Sequence, residues 1–205
     1  MFNYRMFLLL LLVSTFQVNA VVLTGDTAGF FGDDPDAQIV AVEWGGDFTA
    51  HSSLEYLGVE AFFTETKQPF IVGTLIYNNR KTEEVLSEVN LNIDLSFTQP
   101  AGTDNFVFNY DLSIVETDNS LPDSADRVSL IPAEGFNPSF LIGGTEFYFE
   151  LLGFKKDDNF FEQQENSKSP VNLYAKISAV PVPSAVWLFI TALSGFFLMG
   201  KRRAV

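Results

Sequence analysis

The chain has 205 residues, with 12 Lys and Arg against 26 Asp and Glu, one His and no Cys. The length allows one domain or two small ones. The lack of Cys excludes disulfides, thiolate catalysis and zinc–thiolate sites, and the excess of acids excludes a generic nucleic-acid binder, because such a protein needs Lys and Arg to displace counterions from phosphate.

The first 20 residues have the order of a secretory signal peptide. Arg5 precedes an apolar core at residues 6–13, which is too short to span a bilayer. Val18-Asn19-Ala20 then supplies a cleavage-type site with a small last residue, so cleavage is expected after Ala20. A buried N-terminal helix is the alternative, but unbroken leucines after a single Arg favour export.

Acidic residues crowd the start of the expected mature chain, at Asp26, Asp33, Asp34 and Asp36. Clustered carboxylates on a loop suit Ca²⁺, a hard cation that takes about six to eight oxygen ligands. The spacing of an EF-hand loop is absent, and a second acidic stretch offers Asp118, Asp123 and Asp126. The alternative for both stretches is a solvated loop. A structural Ca²⁺ is therefore the one cofactor that the sequence suggests, and no other is expected.

The middle of the chain alternates apolar and polar residues with a period of two, which predicts β-strands with one buried and one solvated face. The clearest runs are residues 84–97, 106–114, 147–151 and 173–177. Residues 70–77 are more uniformly apolar and predict a central strand. Residues 38–44 are a further candidate strand.

Turn-forming residues separate these runs at Asn78-Asn79, Gln99-Pro100-Ala101-Gly102 and Gly143-Gly144. Asn and Gly tolerate positive φ and Pro fixes φ, so each group is expected to reverse the chain. Two polar stretches, residues 116–127 and 155–170, predict solvated loops. Six or more alternating strands without an amphipathic helix predict an all-β domain at residues 21–179. The expected fold is an antiparallel β-sandwich or jelly roll with many Phe side chains in its core.

An ordered set of motifs spans residues 38–97. It comprises Ala41-Val42-Glu43-Trp44-Gly45, then Ser52-Ser53-Leu54 with Tyr56 and Gly58, then Pro69-Phe70, then Gly73-Thr74-Leu75-Ile76-Tyr77-Asn78. This set resembles the choice-of-anchor K domain of bacterial surface proteins, with a looser match through residues 126–128, and Asn79-Arg80 stands where the family has Asn-Gly. The resemblance implies an extracellular domain that occurs with different C-terminal anchors, and it implies no catalytic residues.

The end of the chain predicts membrane anchoring. A proline box at residues 180–184 is followed by 16 mostly apolar residues, 185–200, and then by a basic tail. As a transmembrane helix the apolar stretch reaches about 24 Å, a little short of a bilayer core of about 30 Å, and basic side chains can extend along the surface to make up the difference. The positive-inside rule places the tail in the cytoplasm and the domain outside. The alternative is a helix docked on the domain, but no face of this helix is polar.

The order of proline box, apolar helix and basic cluster resembles the PEP-CTERM sorting signal of Gram-negative bacteria. Residues 180–189 match the subtype that opens Val-Pro-x-Pro-x-Ala-x-Trp-Leu-Phe, although Val182 stands where the family has Glu. The resemblance implies processing at the cell envelope by an exosortase, a membrane-embedded enzyme. Two prolines also keep the segment extended, as a protease or transpeptidase requires. The residues of the expected sorting motif are Val180, Pro181, Val182, Pro183, Ser184, Trp187, Lys201, Arg202 and Arg203.

Signs of catalysis are weak. His51 precedes Ser52, but adjacent strand residues point to opposite faces, and the chain has no Gly-x-Ser-x-Gly elbow. Two carboxylates would suffice for a glycosidase, but no pair stands out among 26 acids. Exposed aromatic side chains could stack on sugars, unless they are ordinary half-buried strand residues. The candidates for stacking are Tyr56, Tyr148, Tyr174 and Trp44.

We therefore expect a non-catalytic protein that a Gram-negative bacterium exports, holds in its inner membrane by the C-terminal helix, and then processes for the cell surface or extracellular matrix. Its expected partners are the export machinery, an exosortase-type enzyme and the inner membrane, with extracellular polysaccharide as a further candidate. A carbohydrate-binding module is the alternative function, and a secreted glycoside hydrolase is the less favoured one. Between residues 21 and 180, 8 basic residues stand against 26 acidic ones, and this net charge of −18 predicts mutual repulsion at low salt.

Overall fold

The computed structural model describes residues 20–34, 37–45, 51–82, 85–100, 105–118, 124–131, 138–142, 144–154 and 158–180. These ranges contain twelve β-strands and no helix. The prediction of an all-β domain is confirmed. The predicted signal peptide, apart from Ala20, lies outside the described residues, as do the predicted transmembrane helix and basic tail.

The strands form two sheets of six, and every pairing is antiparallel. The first sheet contains β1 (Val22–Phe31), β4 (Phe62–Glu65), β6 (Glu88–Gln99), β7 (Phe106–Val115), β8 (Ala125–Ile131) and β11 (Phe160–Gln164), in the spatial order β11-β8-β7-β6-β1-β4. The second contains β2 (Ala41–Trp44), β3 (Ser52–Gly58), β5 (Pro69–Asn79), β9 (Ser139–Ile142), β10 (Thr145–Gly153) and β12 (Ser167–Ala179), in the order β2-β3-β5-β12-β10-β9.

One hydrophobic core is shared by both sheets. Phe108 of β7 stacks on Phe149 of β10 with ring centroids 4.4 Å apart, and Phe62 of β4 packs on Phe70 of β5 at 4.9 Å. All four rings are buried. Because each pair joins strands of different sheets, aromatic packing connects the two sheets. The prediction that Phe side chains build the core is confirmed for these residues.

The alternating runs gave correct strands. Residues 84–97 correspond to β6, in which Leu91, Ile93 and Leu95 point into the core and are fully buried. Residues 106–114 correspond to β7, and residues 38–44 contain β2. The prediction of a central strand at residues 70–77 is confirmed, since β5 lies between β3 and β12.

Three predictions of turns and loops are wrong. Asn78 and Asn79 belong to β5, and Asn79 is fully buried with its Nδ2 donating to the carbonyl oxygen of Gln163 at 2.9 Å. The polar stretch at residues 155–170 contains β11 and the start of β12, and residues 116–127 contain the start of β8. In β11 the buried positions are Phe161 and Gln163, so a polar side chain occupies a core-facing site that alternation of hydrophobicity does not reveal.

The sequence did not predict β1 and β3. Glycine occupies inward positions of β1, and the polar Ser52 occupies the first inward position of β3. The glycines serve close packing here. Tyr56 of β3 is buried between Gly29 of β1 and Gly73 of β5, where an added Cβ would lie 2.4 Å and 2.3 Å from the nearest ring atoms. The Tyr56 hydroxyl donates to the carbonyl oxygen of Val72 at 2.7 Å. Two glycines therefore form a slot for one aromatic ring between the sheets.

Both ends of the described domain meet on one side of the molecule. The turn after β4 joins them: the backbone N–H of Thr66 donates to the oxygen of Val21 at 3.0 Å, and that of Lys67 donates to the oxygen of Ile177 at 2.7 Å. We call this side, where β1 begins and β12 ends, the terminal end. The opposite side, where β5 ends and β12 begins, is the distal end.

Candidate functional site

The terminal end carries the predicted processing points that the structure describes. Ala20 is exposed just before β1. Val180 follows β12, and its backbone N–H donates to the oxygen of Glu146 at 2.8 Å. The two boundaries of the predicted domain thus emerge on the same side. Other predicted sorting residues lie outside the described residues, namely Pro181, Val182, Pro183, Ser184, Trp187, Lys201, Arg202 and Arg203.

The acidic residues proposed for Ca²⁺ are spread along β1 and beyond it. Asp26 lies within β1 on its outward side, so the prediction that this residue sits on a loop is wrong. Asp33 and Asp34 follow the end of the strand. The extended chain rises about 3.3 Å per residue, so Asp26 is about 16 Å from the end of β1 at Phe31. One ion cannot join Asp26 to the other two. Asp36 lies outside the described residues.

A cluster of three carboxylates occupies the distal end, formed by Glu116, Asp126 and Glu165. Trp44 donates from its indole Nε1 to Oε1 of Glu116 at 2.9 Å. Tyr77 donates from its hydroxyl to Oδ2 of Asp126 at 2.8 Å. The two aromatic rings stack with centroids 5.7 Å apart. We refer to these three acids as the distal acidic cluster.

Burial and mutual repulsion shift the protonation of this cluster. Burial raises the pKa of Glu116, the hydrogen bond from Trp44 partly offsets this, and the charge of Asp126 raises it again. Burial also raises the pKa of Glu165, with further increases from Asp126 and Glu116. The pKa of Tyr77 lies far above its usual value, first because of burial and then because of Asp126. The tyrosine therefore stays a donor across the physiological pH range.

The distal acidic cluster links the two sheets, and its most buried member, Asp126, is engaged by the protein itself. Asp126 is 1% exposed, and its second oxygen, Oδ1, accepts from the backbone N–H of Thr117 at 2.9 Å. Both oxygens of Asp126 are thus engaged by the protein itself. Tyr77 and Trp44 belong to the second sheet, whereas their acceptors lie on or beside strands of the first. The geometry is that of a polar cross-link between sheets.

The outer face of the second sheet has a shallow hollow of about 470 Å³ beside Tyr174. Strand β12 supplies four of the seven lining residues, and Asn172 is the amide on its wall. Oγ1 of Thr74 donates to Oδ1 of Asn172 at 3.1 Å, which leaves the amide nitrogen available as a donor. An aromatic ring beside an amide suits a sugar ligand. The ring can pack on the C–H groups of the sugar, and the amide can form hydrogen bonds with its hydroxyl groups.

The aromatic candidates for sugar binding divide into two groups. Tyr56 and Trp44 are buried, at 2% and 8% exposure, so their prediction as stacking residues is wrong. Tyr148 and Tyr174 lie on the outer face of the second sheet, as that hypothesis requires. Nδ1 of His51 lies 3.2 Å from the carbonyl oxygen of Gly45, a contact within the fold.

Comparison with known proteins returns no matching family model and no matching curated sequence. Over the part of the chain that the structure describes, no group of three or more His, Asp or Glu side chains could hold a metal ion. No helix within the same residues is long and apolar enough to cross a membrane.

Proposed function

We propose that this chain is a non-catalytic, exported surface or matrix protein whose β domain is held at the membrane by its C-terminal segment and then processed by an exosortase-type enzyme. The observation that carries the proposal is the meeting of both domain boundaries at the terminal end, through the Thr66 and Lys67 hydrogen bonds to Val21 and Ile177. A domain with both boundaries on one side can stand on a bilayer with its other end outward. We infer that its two sheets form a β-sandwich of the choice-of-anchor kind.

The sequence of the C-terminal segment supports the same proposal. Two prolines precede a mostly apolar stretch at residues 185–200 and a basic tail, which is the order of the PEP-CTERM signal. Proline favours extended backbone, so the segment can enter a processing site as an open strand. The expected site of action is between Val180 and Ser184.

The experiment is the intact mass of the mature protein recovered from its native host. We expect loss of everything after the proline box, with an added mass if the product is attached to another molecule. Replacing Pro181 and Pro183 by Ala should block this loss. Pro170→Ala, on an exposed position of β12, is the matched control and should be processed normally. A mature chain that still ends at Val205 would refute exosortase processing.

A second candidate function is binding of extracellular polysaccharide, and the hollow beside Tyr174 favours it. Saturable binding to a glycan should be lost in Tyr174→Ala. Tyr148→Ala is the control, since Tyr148 is an exposed tyrosine of the same sheet that does not line the hollow. Equal binding by both variants would exclude the hollow as the binding site, and flat titrations across a broad glycan panel would exclude this function.

A further inference from the structure

The most exposed large apolar side chains of the described residues lie at the terminal end. Phe63 of β4 is 69% exposed and Leu141 of β9 is 63% exposed, the two largest values among such side chains. They belong to edge strands of different sheets. Val22, at the start of β1, adds a smaller exposed side chain at 41%. Side chains of this size are available to a partner surface, and their position relative to the ends of the domain indicates which one.

Hydrogen-bond register places these side chains beside the points where the chain leaves the domain. Phe63 pairs with Thr24, two residues after Val22. Leu141 pairs with Glu146, whose oxygen accepts the N–H of Val180. The exposed residues therefore flank both exits of the chain.

The length of the connecting segment fixes the partner. Four residues, 181–184, lie between Val180 and Ala185, where the apolar stretch at 185–200 begins. Fully extended, the five residue steps from Val180 to Ala185 span at most about 18 Å. If residues 185–200 lie in a bilayer, the terminal end cannot move farther than this from the lipid surface. Contact with lipid is then an intramolecular event at high effective concentration.

We propose that the terminal end rests on the bilayer that holds the C-terminal segment, with Phe63 and Leu141 inserted at the lipid interface. The inference rests on the proposed membrane anchoring and adds an orientation to it. Insertion of two large apolar side chains gives a shallow, reversible contact that ends when processing cuts the tether. The same contact keeps the proline box close to the membrane, where a membrane-embedded enzyme works.

The test uses the full chain in vesicles of phosphatidylethanolamine and phosphatidylglycerol that carry a nitroxide on some headgroups. The chain has no Cys, so single variants Phe63→Cys and Leu141→Cys accept one fluorophore each. Val85→Cys is the matched control, because Val85 is 59% exposed but precedes β6 at the distal end. Because Phe63 and Leu141 lie on different sheets, a folding defect in one variant leaves the other informative.

We expect the nitroxide to cause a several-fold larger loss of fluorescence at positions 63 and 141 than at position 85. Vesicle flotation with equal, weak quenching at all three positions would overturn the orientation while leaving anchoring intact. Failure of the chain to float with vesicles would overturn both. Protection of positions 63 and 141 from a water-soluble quencher without nitroxide quenching would indicate a protein partner or second copy, and would also overturn the lipid contact.

Discussion

Tyr56 shows how single residues fix the spacing of the two sheets. Its ring lies between Gly29 and Gly73, and its hydroxyl is held by the carbonyl oxygen of Val72. The ring cannot retreat without losing that buried hydrogen bond, which costs about 1–3 kcal/mol when it is broken. Gly29 and Gly73 are therefore required because a Cβ would collide with the Tyr56 ring, and not because of their backbone conformation.

Gly29→Ala should destabilise the protein by about 1–3 kcal/mol, the usual cost of overpacking a core. The added methyl group would lie 2.4 Å from the Tyr56 ring. Urea unfolding followed by tryptophan fluorescence measures the loss. Ala28→Ser, at the adjacent exposed position of β1, is the control and should stay within about 0.5 kcal/mol of the parent. Equal stability of the two variants would contradict the conclusion that Gly29 makes room for the Tyr56 ring.

Glu116 gives the protein a pH dependence whose sign follows from its raised pKa. The folded state holds the proton more tightly than the unfolded chain, in which the pKa is about the ordinary 4.5. The resulting stability is complete below that value and is lost as pH rises through the raised pKa. Glu165 and Asp94 have pKa values raised in the same direction, each chiefly by burial. These groups therefore make unfolding easier at neutral than at mildly acidic pH.

Glu116→Gln should reduce this fall in the free energy of unfolding between about pH 4.5 and pH 7. Gln keeps an oxygen acceptor for Trp44 and removes repulsion with Asp126. We expect a gain of about 0.2–1 kcal/mol at pH 7, the range for partly exposed charges. Denaturant unfolding across that pH range is the measurement, with the exposed Glu162→Gln as control. If the free energy of unfolding of Glu116→Gln varies with pH as in the parent, Glu116 does not cause the pH dependence.

Among the elements, β7 and β10 meet through the closest aromatic pair across the sheets, Phe108 and Phe149. Replacing each by Leu, singly and together, should show a coupling of about 0.5–1.5 kcal/mol in the free energy of unfolding. The control cycle combines Phe108→Leu with Phe160→Leu, because Phe160 lies on the outward side of the first sheet. The effects of these two substitutions on the free energy of unfolding should add to within about 0.5 kcal/mol. Simple additivity for Phe108 and Phe149 would mean that the stacking has no energy of its own.

Elements with uninterrupted alternation are the ones that the sequence predicts well. In β6 and β7 each inward position is apolar, so the period-two pattern identifies the buried face directly. In β1 and β3 the inward positions include Gly25, Gly29 and Ser52, whose burial depends on which side chain fills the space beside them. That side chain lies on another strand, so the local sequence pattern cannot reveal it.

The candidate sites depend even more on tertiary structure. Tyr56 and Tyr174 were both candidates for stacking on a sugar, yet one is buried in the core and the other lines a surface hollow. The distal acidic cluster joins Glu116, Asp126 and Glu165 from separate parts of the chain, and the pairing of β8 with β7 and with β11 in the first sheet brings them together. The C-terminal segment is different, because the order of proline box, apolar stretch and basic tail along the chain is itself the signal.

Charge is distributed unevenly over the whole molecule. Residues 21–180 have a net charge of −18. Only one salt bridge is seen within the described ranges, between Lys176 and Glu150 at 2.8 Å. Repulsion among the acids therefore opposes the compact state with little local compensation.

Added salt should consequently stabilise the fold. Between about 10 mM and 1 M salt the Debye length falls from about 30 Å to about 3 Å, so repulsion between separated carboxylates is screened. We expect the midpoint of thermal unfolding to rise steadily over this range. NaCl and KCl should give the same midpoint at equal ionic strength, because screening does not distinguish the two cations. A flat or falling midpoint would show that the acids are too well solvated to repel one another, and the charge of separated carboxylates would then not limit the stability of the fold.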